Sequence, residues 1–185
     1  MPERIKNMLF EIGQFKLDVD VSKTKHFYDT ADRVSKSCSC DGCLNFEKAV
    51  DFLSPAVRTL FAKLGVDMKK VRECYVNCTN KDGTLLYGGF YHICGTILDG
   101  KGGWVKKDDD YAYWDSNSTV RAYPNFEISF NKEYDLLEED FPLENQTGIA
   151  FREPFTAPGH PASSFTPRQV CSCRESMGGG WKPPK

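Results

Sequence analysis

The sequence predicts an α+β fold, in which two or three N-terminal helices pack on an antiparallel β-sheet and carry a Cys-rich loop between them. Two observations support this. Apolar residues recur at helical spacing over 44–53 and 55–64, and a hairpin with further segments of alternating polarity follows from residue 71. Helices that precede the strands, instead of alternating with them, favour α+β over a doubly wound parallel sheet.

The N-terminal elements follow from local signals. Residues 15–21 alternate with period two, which predicts a short strand. Ser22 is expected to cap a helix that runs to about Ser35, and a second helical segment covers 44–53. A third helix begins after Ser54, with Pro55 at its first position, and ends before Gly65.

The clearest local signal is a hairpin of residues 71–79 and 84–98. The connection from Asn80 to Thr84 suits a type I turn closed by a glycine in the left-handed conformation. Pairing Asn80 with Thr84 places Cys74 opposite Phe90. One face of the hairpin then carries Cys74, Cys78, Phe90, His92 and Cys94. A slip of one residue would separate the first two cysteines from the last two side chains.

Later segments complete the predicted domain. Strand-like residues lie at 111–114, 119–123 and 126–130, and the composition changes near residue 150. Six of the ten prolines fall in the last 35 residues, so 1–150 is predicted to be one domain and 151–185 an extended or disordered tail. Cys171 and Cys173 lie in this tail, from which they would have to fold back to join any site.

Charge and hydropathy exclude several classes. Lys and Arg number 24 against 26 Asp and Glu, so the net charge of −2 gives no general attraction to nucleic acid or to acidic membranes. No segment approaches the roughly 20 apolar residues of a membrane span. The first residues are charged and lack the apolar region of a signal peptide, which predicts a cytoplasmic protein with reduced thiols.

Three of the eight cysteines lie within six residues, at Cys38, Cys40 and Cys43. Zinc takes four ligands in tetrahedral geometry, usually thiolates and imidazoles, so this loop predicts a zinc site. We expect Cys94 or His92 to supply the fourth ligand. Cys74 is the next candidate. The alternatives are thiols that only fill space in the core and thiols with a redox or disulfide role.

The segment from Tyr87 to Gly95 combines glycines with aromatic residues, His92 and Cys94. Glycine inside a strand indicates a bulge or the close approach of another chain segment. The histidine and the cysteine are two residues apart, so they share a face and suit a base and a nucleophile, or two metal ligands. The other interpretation is a core strand with a packed histidine.

Three segments together resemble an uncharacterised family of small bacterial cytoplasmic proteins. They are the Cys-x-Cys-x-x-Cys-x-Asn-Phe motif at 38–46, the strand at 85–96 and the Leu-Glu-Glu-Asp-Phe-Pro segment at 137–142. The resemblance covers about residues 10–142 and implies one domain over that span. It implies no catalytic residues, because the family has no assigned activity, and the tail falls outside it.

The sequence therefore predicts a small cytosolic domain that binds zinc structurally and acts as a binding or regulatory module. Its partner is expected to be a protein or a small molecule, with neither nucleic acid nor a membrane involved. One alternative is a hydrolase-type enzyme, in which three thiolates leave a zinc position open to activate water. Another is a thiol redox protein that reacts through the loop cysteines.

Overall fold

The computed structural model describes residues 7–108, 112–123, 126–131 and 146–155, and their arrangement confirms the α+β class. Two strands and four helices come first, namely β1 (Met8–Ile12), β2 (Phe15–Val19), α1 (Val21–Thr30), α2 (Val34–Ser37), α3 (Asp41–Ala49) and α4 (Pro55–Lys63). Apart from short 3-10 helices at Val50–Phe52, Met68–Lys70 and Ser116–Ser118, the remaining described elements are strands, namely β3 (Glu73–Thr79), β4 (Leu85–Asp99), β5 (Trp104–Lys106), β6 (Ala112–Trp114), β7 (Val120–Tyr123), β8 (Phe126–Asn131) and β9 (Gln146–Phe155).

A seven-stranded antiparallel sheet organises the molecule around the 15-residue strand β4. The strand order is β1-β2-β4-β9-β8-β7, and β3 also pairs with β4. Since β9 covers one edge of β4 from Leu85 to Cys94, β2 and β3 share its other edge. Strands β5 and β6 form a separate two-stranded ribbon.

Both faces of β4 are covered from Leu85 to Gly95, and only its C-terminal end is exposed. Its odd-numbered side chains face the helices, where the ring centroids of Tyr87 and Phe46 lie 5.5 Å apart and those of Tyr91 and Phe61 lie 5.1 Å apart. Its even-numbered residues Phe90, His92 and Cys94 are also buried, on the opposite face. Burial on both faces requires that every backbone polar group of the strand be satisfied inside the protein.

The ribbon of β5 and β6 borders that opposite face. The Gly103 N–H donates to Ser129 Oγ, and the Trp104 N–H donates to Asn131 Oδ1 at 3.3 Å. Both acceptors lie on β8 and are buried. The sheet thus has a helical layer on one side, and the ribbon contributes to a second layer on the other.

Helix α1 fills the gap between β2 and β3 on the shared edge of β4. The Tyr28 hydroxyl donates to the His92 carbonyl at 2.9 Å and accepts from the His92 N–H at 3.1 Å. The Cys94 N–H donates to Thr24 Oγ1 at 3.0 Å. Two side chains of one helix therefore replace a missing stretch of strand.

The ends of α4 follow their local signals, whereas α1 ends at Thr30 instead of about Ser35 and α3 spans Asp41–Ala49 instead of 44–53. Ser54 caps α4 by accepting from the Val57 N–H, and Gly65 follows the helix with φ of +82°, as predicted. The predicted cap of α1 at Ser22 is wrong. Asp20 caps this helix by accepting from the Lys23 N–H, because β2 ends at Val19 and the Asp20 N–H donates to the Cys94 carbonyl.

The predicted turn of the hairpin is confirmed, but the predicted register holds at only one end. The Asn80 N–H donates to the Thr84 carbonyl at 2.7 Å, and Gly83 has a φ of +82°. A β-bulge between Val76 and Cys78 then shifts the pairing, so that Cys74 faces Gly89 instead of Phe90. The shift places Cys74 on the helix face, away from His92 and Cys94.

The strands at the two ends of the predicted domain agree only in part with the prediction. The strands predicted at 119–123 and 126–130 correspond to β7 and β8, and β6 begins at Ala112. Strand β1 was not predicted, and β9 continues to Phe155, five residues past the expected boundary at 150. Residues 156–185, with Cys171 and Cys173, lie outside the described residues, so the division into domain and tail stays a prediction.

Among the described helices, none has the length and apolar content needed to cross a membrane.

Replacing Tyr28 with Phe should destabilise the protein by about 1–3 kcal/mol. The change removes one hydroxyl and leaves the buried backbone N–H and C=O of His92 without their partner on that edge. Urea unfolding followed by circular dichroism measures the free energy of unfolding. Tyr123→Phe is the matched control, because that side chain is 50% exposed and its loss should change stability by less than about 0.5 kcal/mol. Equal effects of the two substitutions would contradict the proposed role of Tyr28.

Candidate metal centre

Three cysteines converge where α2 ends and α3 begins. Cys38 is the C-cap of α2, Cys40 is the N-cap of α3, and Cys43 lies in the first turn of α3. Residues three apart share one side of a helical turn, so Cys40 and Cys43 come together as soon as the helix forms. All three sulfur atoms lie within 4.8 Å of one another. The convergence predicted from the spacing is thus present.

The loop is held against the sheet by Tyr87. Its hydroxyl donates to the Gly42 carbonyl at 2.9 Å and accepts from Asn45 Nδ2 at 2.8 Å. Both Asn45 and Tyr87 are fully buried. These two hydrogen bonds fix the first turn of α3 over β4, and neither partner was identified from the sequence as part of the site.

A second set of contacts ties α2 to α3. The Glu47 carboxylate accepts from the Ser35 N–H at 3.3 Å and lies 3.2 Å from Arg33 Nη1. The Glu47 side chain is mostly covered, whereas the arginine is mostly exposed. The contacts orient the four-residue helix that precedes Cys38, so both sides of the cysteine loop have defined positions.

The thiols have unequal proton affinities. A hydrogen bond from the Cys43 thiol, helped by the N–H groups of Cys43 and Gly42 and by the Cys38 thiol, lowers the pKa of Cys40 to about 5, although partial burial opposes this. The pKa of Cys43 is raised, because Cys40 and Cys74 bond to its neutral form and because it is buried. Burial raises the pKa of Cys38. The centre without metal thus holds one half-buried thiolate among neutral thiols.

This arrangement suits a thiophilic cation. Thiolates are the form of cysteine that binds metals, and zinc bound to sulfur has Zn–S distances of about 2.3 Å. In a tetrahedron of that size two sulfurs are about 3.8 Å apart. The observed limit of 4.8 Å is about 1 Å larger, so the three side chains need only small movements to bind one ion.

Cys74 also contacts this group. Its sulfur lies 3.8 Å from that of Cys43, and its side chain is buried in the core. The bulge in β3 causes this, because it turns Cys74 toward α3. The glycines of β4 indicate a bulge or a close approach, and both occur: the bulge lies in the partner strand β3, and a Cβ at Gly88 would lie 2.7 Å from the Tyr75 ring.

His92 and Cys94 lie elsewhere. They occupy the face of β4 opposite to the one that meets α3, and the His92 ring packs edge-on against Phe90 with centroids 5.5 Å apart. Burial, with a further contribution from Arg72, lowers the pKa of His92 to about 3. The structure therefore does not bring either residue to the three thiols, and their role as the fourth ligand stays a prediction.

No protein-family model, no curated protein and no solved structure matches the chain. The family resemblance of the three motifs accordingly stays a prediction.

The buried histidine should make the stability of the protein decrease as the pH falls within a defined range. The pKa of His92 is about 3 in the folded protein against an ordinary value of 6.5, so between these values the unfolded chain binds a proton that the folded protein does not. Stability therefore rises with pH there, by at most about 1.4 kcal/mol per unit.

The test compares His92→Gln with wild type by urea unfolding from pH 7 to pH 4. As the pH falls, the wild-type protein should lose stability faster than His92→Gln, so the variant should become more stable relative to wild type. His26→Gln, at an exposed histidine of α1, is the matched control and should keep the wild-type pH dependence. Parallel pH profiles for wild type and His92→Gln would contradict a neutral buried imidazole.

Cys40 should react first with an alkylating agent in metal-free protein. Its pKa of about 5 leaves it as a thiolate at neutral pH, and it is less buried than Cys38 and Cys43. A short pulse of iodoacetamide at pH 6.5 with a chelator, followed by peptide mass spectrometry, measures the order of modification. Modification of Cys43 at the same rate as Cys40 would contradict the assigned thiolate.

Proposed function

We propose that this protein is a small zinc-binding module, in which the ion stabilises the segment that joins α2 and α3 and thereby supports a binding or regulatory role. The observation that carries the proposal is the approach of three cysteine sulfurs to within 4.8 Å of one another in a loop fixed by the surrounding side chains. Thiols that merely fill a core have no reason to converge around one point.

Zinc is the cation that this donor set favours. Sulfur ligands select soft or borderline metals, and calcium and magnesium take oxygen ligands instead. Structural zinc sites are built from cysteines, or from cysteines and histidines, whereas catalytic sites keep a position open for water. Two of the three sulfurs here are buried, which supports a structural role.

The local elements also support a structural ion. Helix α2 has four residues and α3 has nine, and isolated helices of such length are unstable in water. A bound ion would link the end of one to the start of the other and add its binding energy to folding. The thiolates must remain reduced for this, so the proposal includes the cytoplasm as the location.

The proposed zinc site predicts the metal content of the purified protein. Protein purified in reductant without added metal should contain about one zinc per chain by elemental analysis, because cysteines that already converge bind zinc tightly at neutral pH and release their remaining thiol protons as they do so. Cys38→Ser and Cys43→Ser should each remove most of it. Cys78→Ser is the matched control, since Cys78 is an exposed cysteine of β3, and it should keep the full content.

Less than about one zinc in ten chains in the wild-type protein would overturn the proposal. The redox alternative rests on the low pKa of Cys40 and is separated by thiol titration of the unfolded protein before and after reduction. If reduction increased the number of titratable thiols by two, the result would favour the redox alternative. The enzyme alternative requires zinc with three sulfurs and a water, which X-ray absorption would detect.

A further inference from the structure

We propose that Cys74 is the fourth ligand of this metal centre, so that the ion is held by four thiolates in a closed site. The inference rests on the proposed zinc-binding function and adds to it. It identifies a ligand 31 residues from Cys43, on the sheet instead of on the loop, and it decides between a closed and an open coordination sphere.

The distance between Cys74 and Cys43 is the first argument. Their sulfurs are 3.8 Å apart, which is the length of one edge of a tetrahedron of four sulfurs around zinc. The same distance is far longer than the roughly 2.05 Å of a disulfide bond. The pair thus stands at the separation that a shared ion requires.

The remaining movement is small. Cys74 is not in the group whose sulfurs all lie within 4.8 Å of one another, so at least one sulfur must shift for it to join. Cys40 is the most exposed of the three loop cysteines, so its sulfur is the least constrained by packing. Cys43 already contacts both Cys40 and Cys74, and it therefore forms the centre of the four-thiol group.

The backbone of β3 is shaped to bring Cys74 here. Without the bulge between Val76 and Cys78, the register set by the turn would turn Cys74 to the opposite face of the sheet. Gly88 permits the bulged arrangement, because a Cβ there would lie 2.7 Å from the Tyr75 ring and 3.0 Å from Asn77 Nδ2. Opposite Cys74 itself stands Gly89, which has no side chain to occupy the space.

The other candidates are on the wrong side of the sheet. His92 and Cys94 belong to the even-numbered face of β4, and the backbones of β4 and its neighbours lie between them and the loop. Neither can reach the three thiols while β4 keeps its pairing with β9. Cys74 needs no change of strand register to do so.

A closed site has a structural consequence. The ion would link the start of α3 to β3, in addition to the hydrogen bonds that Tyr87 makes to the same turn. Four thiolates leave no position for a water, so the centre would hold the fold together without activating a nucleophile. Removing zinc should then loosen α3 and β3 together.

X-ray absorption on the zinc-loaded wild-type protein is the deciding experiment. We expect four sulfurs at about 2.3 Å from the zinc. Three sulfurs with one nitrogen or oxygen at about 2.0–2.1 Å would overturn the inference and leave the zinc-binding function in place. Protein that binds no zinc would overturn the proposed function and this inference with it. These three outcomes need no variant, so they do not depend on a mutant that folds.

Variants then identify the fourth sulfur. Cys74→Ser should lower zinc affinity at least about 10-fold in competition with a chromophoric chelator, and its zinc should show three sulfurs. Cys94→Ser is the matched control, also a buried cysteine of the sheet, and should keep four sulfurs and wild-type affinity. Four sulfurs in Cys74→Ser, or three in Cys94→Ser, would overturn the assignment.

Discussion

The need to satisfy the backbone of β4, buried on both faces, governs the rest of the structure. A buried N–H or C=O without a partner costs about 1–3 kcal/mol, so each polar group along the strand requires a hydrogen bond. One edge is covered by β9 over ten residues. The other edge is divided between β2 and β3. Between these two strands, the hydroxyls of Tyr28 and Thr24 form hydrogen bonds with the backbone of His92 and Cys94.

That division determines where the cysteines meet. Helix α1 occupies the gap because it follows β2 directly, and β3 is therefore confined to the N-terminal half of β4. There the bulge in β3 turns Cys74 toward α3, and Tyr87 of β4 fixes the first turn of the same helix. The thiol of Cys74 on the sheet and the thiol of Cys43 on α3 therefore face one another, with their sulfurs 3.8 Å apart.

The loop thiols show how ordinary local structure can bring sulfur atoms together in an arrangement that could hold a metal ion. A cysteine at the N-cap accepts from the N–H three residues later, as serine or aspartate does in other helices, and this same position favours its thiolate. The neighbouring thiols donate to that charge while no ion is bound. A cation would take over the stabilisation that the thiol protons now supply.

Signals that depend on a few neighbouring residues were sufficient for most of the elements and for the three loop cysteines. The cap at Ser54, the turn closed by Gly83 and the three-residue spacing of Cys40 and Cys43 each act within one turn of chain. The cap of α1 was missed because Asp20 depends on where β2 leaves the sheet. Strand β9 was missed because its residues pair only with distant segments.

The sequence by itself determined the α+β order of elements and the convergence of the three loop cysteines, because helical turns and tight turns are short-range. Only the tertiary structure decided on which face of the sheet Cys74, His92 and Cys94 lie. A strand reverses every side chain when its register slips by one residue, and beyond the slip between Val76 and Cys78 the Tyr75 ring packs over Gly88 on the neighbouring strand. The glycines of β4 indicate that something approaches closely there, but they do not specify the register that results.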